Sequence, residues 1–188
     1  ENHFEFHSFR SQETNVRQSL EEQMINPYFP VDMRAMLAKR HFREIGEGKH
    51  VVAGMRVTSK RLNHPQGCLG FRIEHAGKII VYATDNEPGN TRGDQNVRAL
   101  AQGADVFIYD SQYTPHEYKT AKKNWGHSTW EEAVNIAQEA EVKNPAIYKT
   151  KMEKARPKIT ARHTCLAQTK LYFFHFFYKA VNKFFIKL

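Results

Sequence analysis

The chain has 188 residues, 40% of them apolar and 26% charged, with a net charge of +8, a mean hydropathy of −0.67 and a pI near 9.5. That is the size and balance of one domain with a core of its own, and its two cysteines, Cys68 and Cys165, exclude a disulfide scaffold or a multi-cysteine zinc or iron–sulfur site. No apolar run reaches the roughly 18 residues of a spanning helix and no secretory leader opens the chain, so a cytoplasmic protein is expected, and the start at Glu1 instead of Met reads as a cut into a longer one.

The charge is unevenly placed. Residues 145–188 carry +9 and nine of the 23 aromatics, whereas residues 1–144 sum to −1. This divides the chain into a neutral body and an irregular, basic, aromatic-rich tail with neither a helical stripe nor strand alternation. Three accounts of the tail stand open: a membrane-surface or RNA-binding extension, an ending of strands and helices, or a reading-frame or splice error. The abruptness of the change favours the third.

Along the body, residues 1–17 are polar with interleaved Phe4, Phe6 and Phe9 and supply one candidate strand. Ser19 and Glu22 form a capping-box pattern for a short helix through Glu21 to Ile25, stopped by Asn26-Pro27. Asp32 reads as the N-cap of a second helix from Met33 to Lys39, which makes about 18–44 a helical insertion. The period then shortens. Val51-Val52 with Met55 to Thr58 reads as one strand, Cys68 to Glu74 as another and Ile79 to Ala83 as a third, with Ala76-Gly77-Lys78 as a hairpin turn. Asp94 to Gln102 has helical spacing with Gly103 as its stop. Val106 to Tyr109 is a buried-strand run ending in Asp110. Ser128 and Glu131 repeat the capping-box pattern ahead of Trp130, Ala133, Val134, Ala137 and Ala140 at helical spacing. Strands, helix, strand, helix is the order of an α/β layered domain.

Four polar residues fall where these elements end: His64, Asp85, Asp110 and His127. Taken alone, a histidine there is more often a structural hydrogen-bonder than a ligand, and Asp85 before Asn86 and Pro88 also reads as a turn former. Their flanks say more. Leu62-Asn63-His64-Pro65-Gln66-Gly67-Cys68-Leu69-Gly70-Phe71-Arg72-Ile73, Val81-Tyr82-Ala83-Thr84-Asp85, Ala104 to Asp110, and Gly126-His127-Ser128-Thr129 follow one another in order. This succession, from about His50 to Asn144, resembles the second half of the metallo-β-lactamase-fold hydrolases, in the branch of ribonuclease Z and phosphodiesterase-like enzymes.

The resemblance implies a partial αββα sandwich of one mixed sheet with helices over residues 1–144. It implies that His64 is a metal-binding histidine and Asp85 an aspartate bridging two divalent ions, zinc or manganese, whose mutual repulsion an anion between them relieves. Asp110 and His127 resemble the family's acid–histidine pair, in which the carboxylate orients an imidazole that faces the departing oxygen. Asp at 110, where ribonuclease Z has Glu, leaves specificity for transfer-RNA precursors open. The intact protein is expected to hydrolyse a phosphodiester or similar ester, with a small-molecule or nucleic-acid phosphoester as substrate and a homodimer as a candidate assembly.

The sequence also departs from the family. The His-x-His-x-Asp-His loop is missing, His3 and His7 lacking its pattern and reading as surface histidines. A further ligand histidine belongs near residue 149, where Tyr148-Lys149-Thr150 stands instead. His64 and Asp85 alone hold an ion poorly, since stable sites use about three or four ligands, so this chain is expected to be a largely inactive fragment. The other class of function is a non-catalytic module bound through its tail to RNA or an anionic membrane. Cys68 reads as core instead of nucleophile, and Arg92-Gly93-Asp94 as a turn.

Overall fold

The computed structural model describes residues 3–9 and 14–148; the tail from residue 149 onward, with the roles expected of it, and Cys165 lie outside the described residues. Strand β1 (His3–Phe9), helix α1 (Val16–Gln23), a 3-10 turn (Met33–Ala35) and β2 (Lys39–Ile45) precede a six-stranded sheet. That sheet comprises β3 (Gly48–Val52), β4 (Met55–Leu62), β5 (Cys68–His75), β6 (Lys78–Ala83), β7 (Val106–Asp110) and β8 (Pro145–Tyr148) in sequence order. Helix α2 (Thr91–Ala101) joins β6 to β7, and α3 (Pro115–Glu117), a π-helical turn (Tyr118–Lys122) and α4 (Trp130–Glu139) lie between β7 and β8.

The antiparallel half, β3 to β6, is built by short hairpins. Ala53-Gly54 and Ala76-Gly77 all take positive φ (48°, 77°, 47° and 71°), the conformation whose twist matches that of the strands a two-residue turn must join. The parallel half then comes after it, β6–β7–β8, because a helix crossover returns each strand in the same direction. Since β4 and β6 both run antiparallel to β5, strands β4, β6 and β7 all point the same way. Their carboxyl ends share one edge, and the loops leaving that edge carry Asn63-His64, Asp85-Asn86-Glu87 and Ser111-Gln112.

Helices α2 and α4 lie side by side over one face of the sheet. Val97, Leu100 and Ala101 of α2 and Ala133, Ile136 and Ala137 of α4 close on Leu62, Val81, Ala83, Phe107 and Tyr109 in one buried cluster. Full burial of each large apolar side chain there is worth about 1.5–3 kcal/mol. Arg72 ties the end of α2 to the sheet by donating to the carbonyls of Leu100 and Gln102 at 2.8 and 2.7 Å, where the unpaired carbonyls of a helix end attract a cation. Among the described residues no helix is long and apolar enough to cross a membrane.

Strands β5 to β7 and the two crossover helices agree with the sequence reading within one to three residues, whereas the single strand read over Val51-Val52 and Met55 to Thr58 is a hairpin, β3 and β4, because Ala53-Gly54 turns the chain back on itself, and the amino-terminal quarter departs further. Helix α1 starts earlier than the Ser19 pattern indicates, because Asn15 caps it by accepting from the Gln18 amide at 2.9 Å. Asp32 does cap, accepting from the Arg34 amide at 2.7 Å, but it opens only a three-residue 3-10 turn. The rest of the expected second helix is irregular from residue 36 to 38, and its last residue, Lys39, opens β2, which pairs in parallel with β1 from His3↔Lys39 to Phe9↔Ile45. Lys39 to Ile45 alternates exposed and half-buried positions over its first five residues, and stacking of Phe6 on Phe42 at 5.1 Å favours the strand. Arg92-Gly93-Asp94 is the first turn of α2, capped by Asn90, and not a free turn. Helix α4 is capped by Thr129, one residue beyond Ser128. The sheet also runs past the composition boundary at residue 144, Pro145–Tyr148 pairing with β7 from Phe107↔Pro145 to Asp110↔Tyr148; Pro145, with no amide to donate, stands at the first residue of an edge strand.

Candidate metal centre

His64, Asp85 and His127, separated by up to 63 positions in sequence, each offer a donor atom, and the three atoms lie within 4.8 Å of one another. The shared strand edge brings the first two together, and the loop leading into α4 brings the third. Asp110, the last residue of β7, stands behind them. Its carboxylate is 2% exposed and receives the His127 Nδ1 proton at 2.6 Å, the Asp85 amide at 3.2 Å and the Gln112 amide at 3.1 Å. With Nδ1 held in this way, Nε2 is the nitrogen of His127 left for other work. Burial pushes the Asp110 carboxyl above its ordinary value; the His127 hydrogen bond opposes this, and the nearby Asp85 charge adds to it.

Asp85 takes a positive φ of 60°, a left-handed conformation that Asp tolerates better than most residues. Its side chain is 48% exposed and its Oδ1 is 3.5 Å from His127 Nδ1, while its Oδ2 accepts from the Thr84 hydroxyl at 3.2 Å. It is therefore a turn residue whose carboxylate also belongs to the donor cluster. The Cys68 thiol donates to the Asp85 carbonyl at 3.0 Å. Burial first, and then the charges of Asp85 and Asp110, push that thiol up to about 12, which removes Cys68 as a nucleophile at neutral pH. The His64 and His127 rings meet edge to face at 5.8 Å, and Tyr113 closes on His127 from another side at 6.1 Å.

The scaffold around these groups includes residues that had no assigned role in the sequence. Asn86, fully buried, accepts from the Asn63 amide at 2.9 Å and donates to the Tyr109 hydroxyl at 2.8 Å. Asn63 and Glu87 exchange further bonds, the Glu87 amide to the Asn63 carbonyl and Asn63 Nδ2 to the Glu87 carbonyl, each at 2.8 Å. The Glu87 side chain, in a residue only 6% exposed, accepts from the Asn124 amide at 2.6 Å, the Gly126 amide at 2.8 Å and the Tyr118 hydroxyl at 3.0 Å. One carboxylate thus holds the loop that presents His127. Gly126 (φ 82°) is required there: a Cβ would stand 2.3 Å from His64 Cδ2 and 2.8 Å from both His64 Nε2 and Pro65 Cδ. A polar-rich turn beginning Asp-Asn-Glu-Pro gives no sign in one dimension that its third residue reaches 39 positions ahead.

His3 and His7 lie away from this centre on β1, His3 stacking on His41 at 6.3 Å and His7 within 3.2 Å of Glu5. The position near residue 149 lies outside the described residues.

The fold matches known proteins. A profile described as the beta-lactamase superfamily domain matches residues 10–147, and the chain belongs to that superfamily. Within it the chain is ribonuclease Z-like. The ribonuclease Z of Brevibacillus brevis is 42% identical over 67 residues, covering 36% of this chain and 19% of that protein. The ribonuclease Z of Limosilactobacillus reuteri is 28% identical over 150 residues, covering 55% of this chain and 48% of that protein. The short form of human tRNase Z superposes with a TM-score of 0.56 at 17% identity, over 78% of this chain and 61% of that one, and shares its fold. The chain spans about half the length or less of these two bacterial relatives.

Proposed function

We propose that this chain carries one flank of the metal centre of a phosphoester hydrolase, with His64 and Asp85 as metal ligands and His127, held by Asp110, as the group that serves the departing oxygen. The observation that carries this reading is the convergence of His64, Asp85 and His127 donor atoms within 4.8 Å from three separate loops. Two imidazoles and a carboxylate, one edge of the group half open to solvent, suit a divalent ion such as zinc or manganese. An ion bound there would polarise a phosphoryl oxygen and activate water at neutral pH.

The remaining steps belong to the protein's own side chains. Asp110 keeps the His127 ring in one orientation by accepting from its Nδ1. Protonated His127 gives its Nε2 proton to the oxygen that leaves. In this chain, which has no His-x-His-x-Asp-His loop, the same imidazole also completes the set of three donors. One nitrogen cannot ligate an ion and deliver a proton at once, so the chain by itself binds one ion and turns over slowly if at all. The ribonuclease Z likeness directs the substrate reading to phosphodiesters, RNA ends among them.

The test is zinc binding by competition with a chromophoric chelator. One zinc per chain is expected, weakened at least tenfold in Asp85→Ala and in His64→Ala. Affinity unchanged in both variants, or two zincs bound tightly with turnover of bis-p-nitrophenyl phosphate, overturns the assignment.

A further inference from the structure

We propose that Trp125, with the lysines of the segment before it, is a ring-binding subsite at the edge of the metal centre, accepting the planar ring of a mononucleotide-sized phosphoester. The proposal rests on the phosphoester reading and names the part of the substrate that this chain would recognise.

Trp125 is 56% exposed, although a tryptophan presents more apolar surface than any other side chain and is seldom left to water without a use. Its backbone is not loose. The amides on either side of it, at Asn124 and Gly126, both donate to the buried Glu87 carboxylate, so the indole projects from a clamped segment. The next residue but one is His127, and Gly126 lies so near the His64 ring that a Cβ there would collide with it. The indole is therefore anchored one residue from the wall of the centre.

Charge converges on the same segment. The Lys122 ammonium sits over the Trp125 ring at 3.6 Å from its centroid, and Lys119 and Lys123 are exposed nearby in sequence. Contact of a cation with one indole face leaves the other for stacking, and an ammonium beside a stacked ring matches a ligand that joins a ring to a phosphate. Trp125 stands two residues before His127, so a phosphate taken at the donor cluster and a ring taken at Trp125 are parts of one small phosphoester. Neither the apolar core nor the proton-transfer groups use this side chain, and burying it would serve the fold better than exposing it.

The probe is 5′-AMP, compared with ribose 5-phosphate and inorganic phosphate, on the full chain carrying Trp130→Phe so that the remaining indole reports. Tryptophan fluorescence should quench on titration with 5′-AMP, at an affinity about tenfold or more above that for ribose 5-phosphate. Trp125→Phe should keep most of that preference; Trp125→Ala, its binding followed by calorimetry, should abolish it while circular dichroism stays the same. Equal affinities for 5′-AMP and ribose 5-phosphate, or an unchanged preference in Trp125→Ala, overturns the subsite. Zinc bound at His64 and Asp85 without any base preference defeats this inference alone. A Trp125-dependent preference in a chain that fails to bind zinc defeats the metal reading and leaves the ring subsite standing.

Discussion

Replacing Glu87 tests whether a buried carboxylate, and not the metal, shapes the loop that carries His127. Its Oε1 accepts from the Asn124 amide and the Tyr118 hydroxyl, and its Oε2 from the Gly126 amide. In Glu87→Gln one of those oxygens becomes an NH2 group that faces a donor. With the new carbonyl in place of Oε1, the Gly126 amide, which is buried, loses its acceptor, and an unsatisfied buried donor costs about 1–3 kcal/mol. Glu87→Ala removes all three bonds, but exposed Asn124 can turn to water, so we expect about 3 kcal/mol, with part of the lost bonding returned by no longer burying a charge. At about 2–4 °C per kcal/mol for a chain of this size, the Ala variant should melt roughly 6–12 °C lower. The readouts are the melting temperature and hydrogen exchange at the Gly126 amide. Zinc affinity, measured beside them, should fall with the loop's order even though Glu87 touches none of the three donors. A melting temperature within about 2 °C of the parent, with Gly126 exchange unchanged, refutes the reasoning.

Gly126→Ala should disturb the centre more selectively, because the new methyl group meets the His64 ring at 2.3 Å and the backbone φ of 82° disfavours any side chain; zinc affinity should drop at least tenfold, and an undiminished affinity counts against the placement of His64. Cys68, its thiol pushed up to about 12, should react with a disulfide reagent at pH 8 roughly a thousandfold more slowly than an ordinary cysteine in a Cys165→Ser background, and fast labelling of the folded chain contradicts its burial. Burial alone would push the Asp105 carboxyl up, but the Lys143 ammonium at 3.0 Å and the Ile79 amide at 2.9 Å outweigh it and hold the carboxyl below its ordinary value. The unfolded chain then binds the proton first, so this stabilisation is present above about pH 4 and is lost as pH falls through the folded value; the melting-temperature gap between the parent and Asp105→Asn should close from pH 6 to pH 3, and a constant gap refutes the sign.

How much the sequence discloses depends on the range of the forces involved. His64, Asp85, Asp110 and His127 each end or precede an element whose own period marks it, such as Val106 to Asp110, so local pattern alone sets them at the edge where α/β folds place their sites. That three of them offer donors to one point depends on β4, β6 and β7 running in one direction, a relation between strands that no single window contains. The helix read from Met33 to Lys39 gives way for a related reason. Asp32 is a true cap, but it opens only a 3-10 turn, and from Lys39 onward the chain is governed by pairing with β1 thirty-six positions earlier; the helical spacing of so short a stretch is weak beside a partner strand. Glu87 is the extreme case: its chemistry is local, but its partners lie from 31 to 39 residues away.

The polar interior around the centre explains why the three donors converge. Asn63 beside His64, Asn86 beside Asp85 and Tyr109 beside Asp110 form one hydrogen-bonded series linking the loops after β4 and β6 to β7, and Glu87 extends it to the loop of His127. Asn63, Asn86 and Tyr109 each adjoin His64, Asp85 or Asp110 in sequence, while none of the linking residues is a donor of the cluster. The arrangement therefore draws its order from buried amide, hydroxyl and carboxylate bonds, which are costly to leave unmade. Asp110 is the junction of the two systems. Buried as part of the scaffold, it also orients His127, so an Asp110→Asn change acts on ring orientation before it acts on any ion. A cluster assembled in this way holds its geometry before any ion binds, the condition under which a few donors bind without first having to organise the loops that bear them.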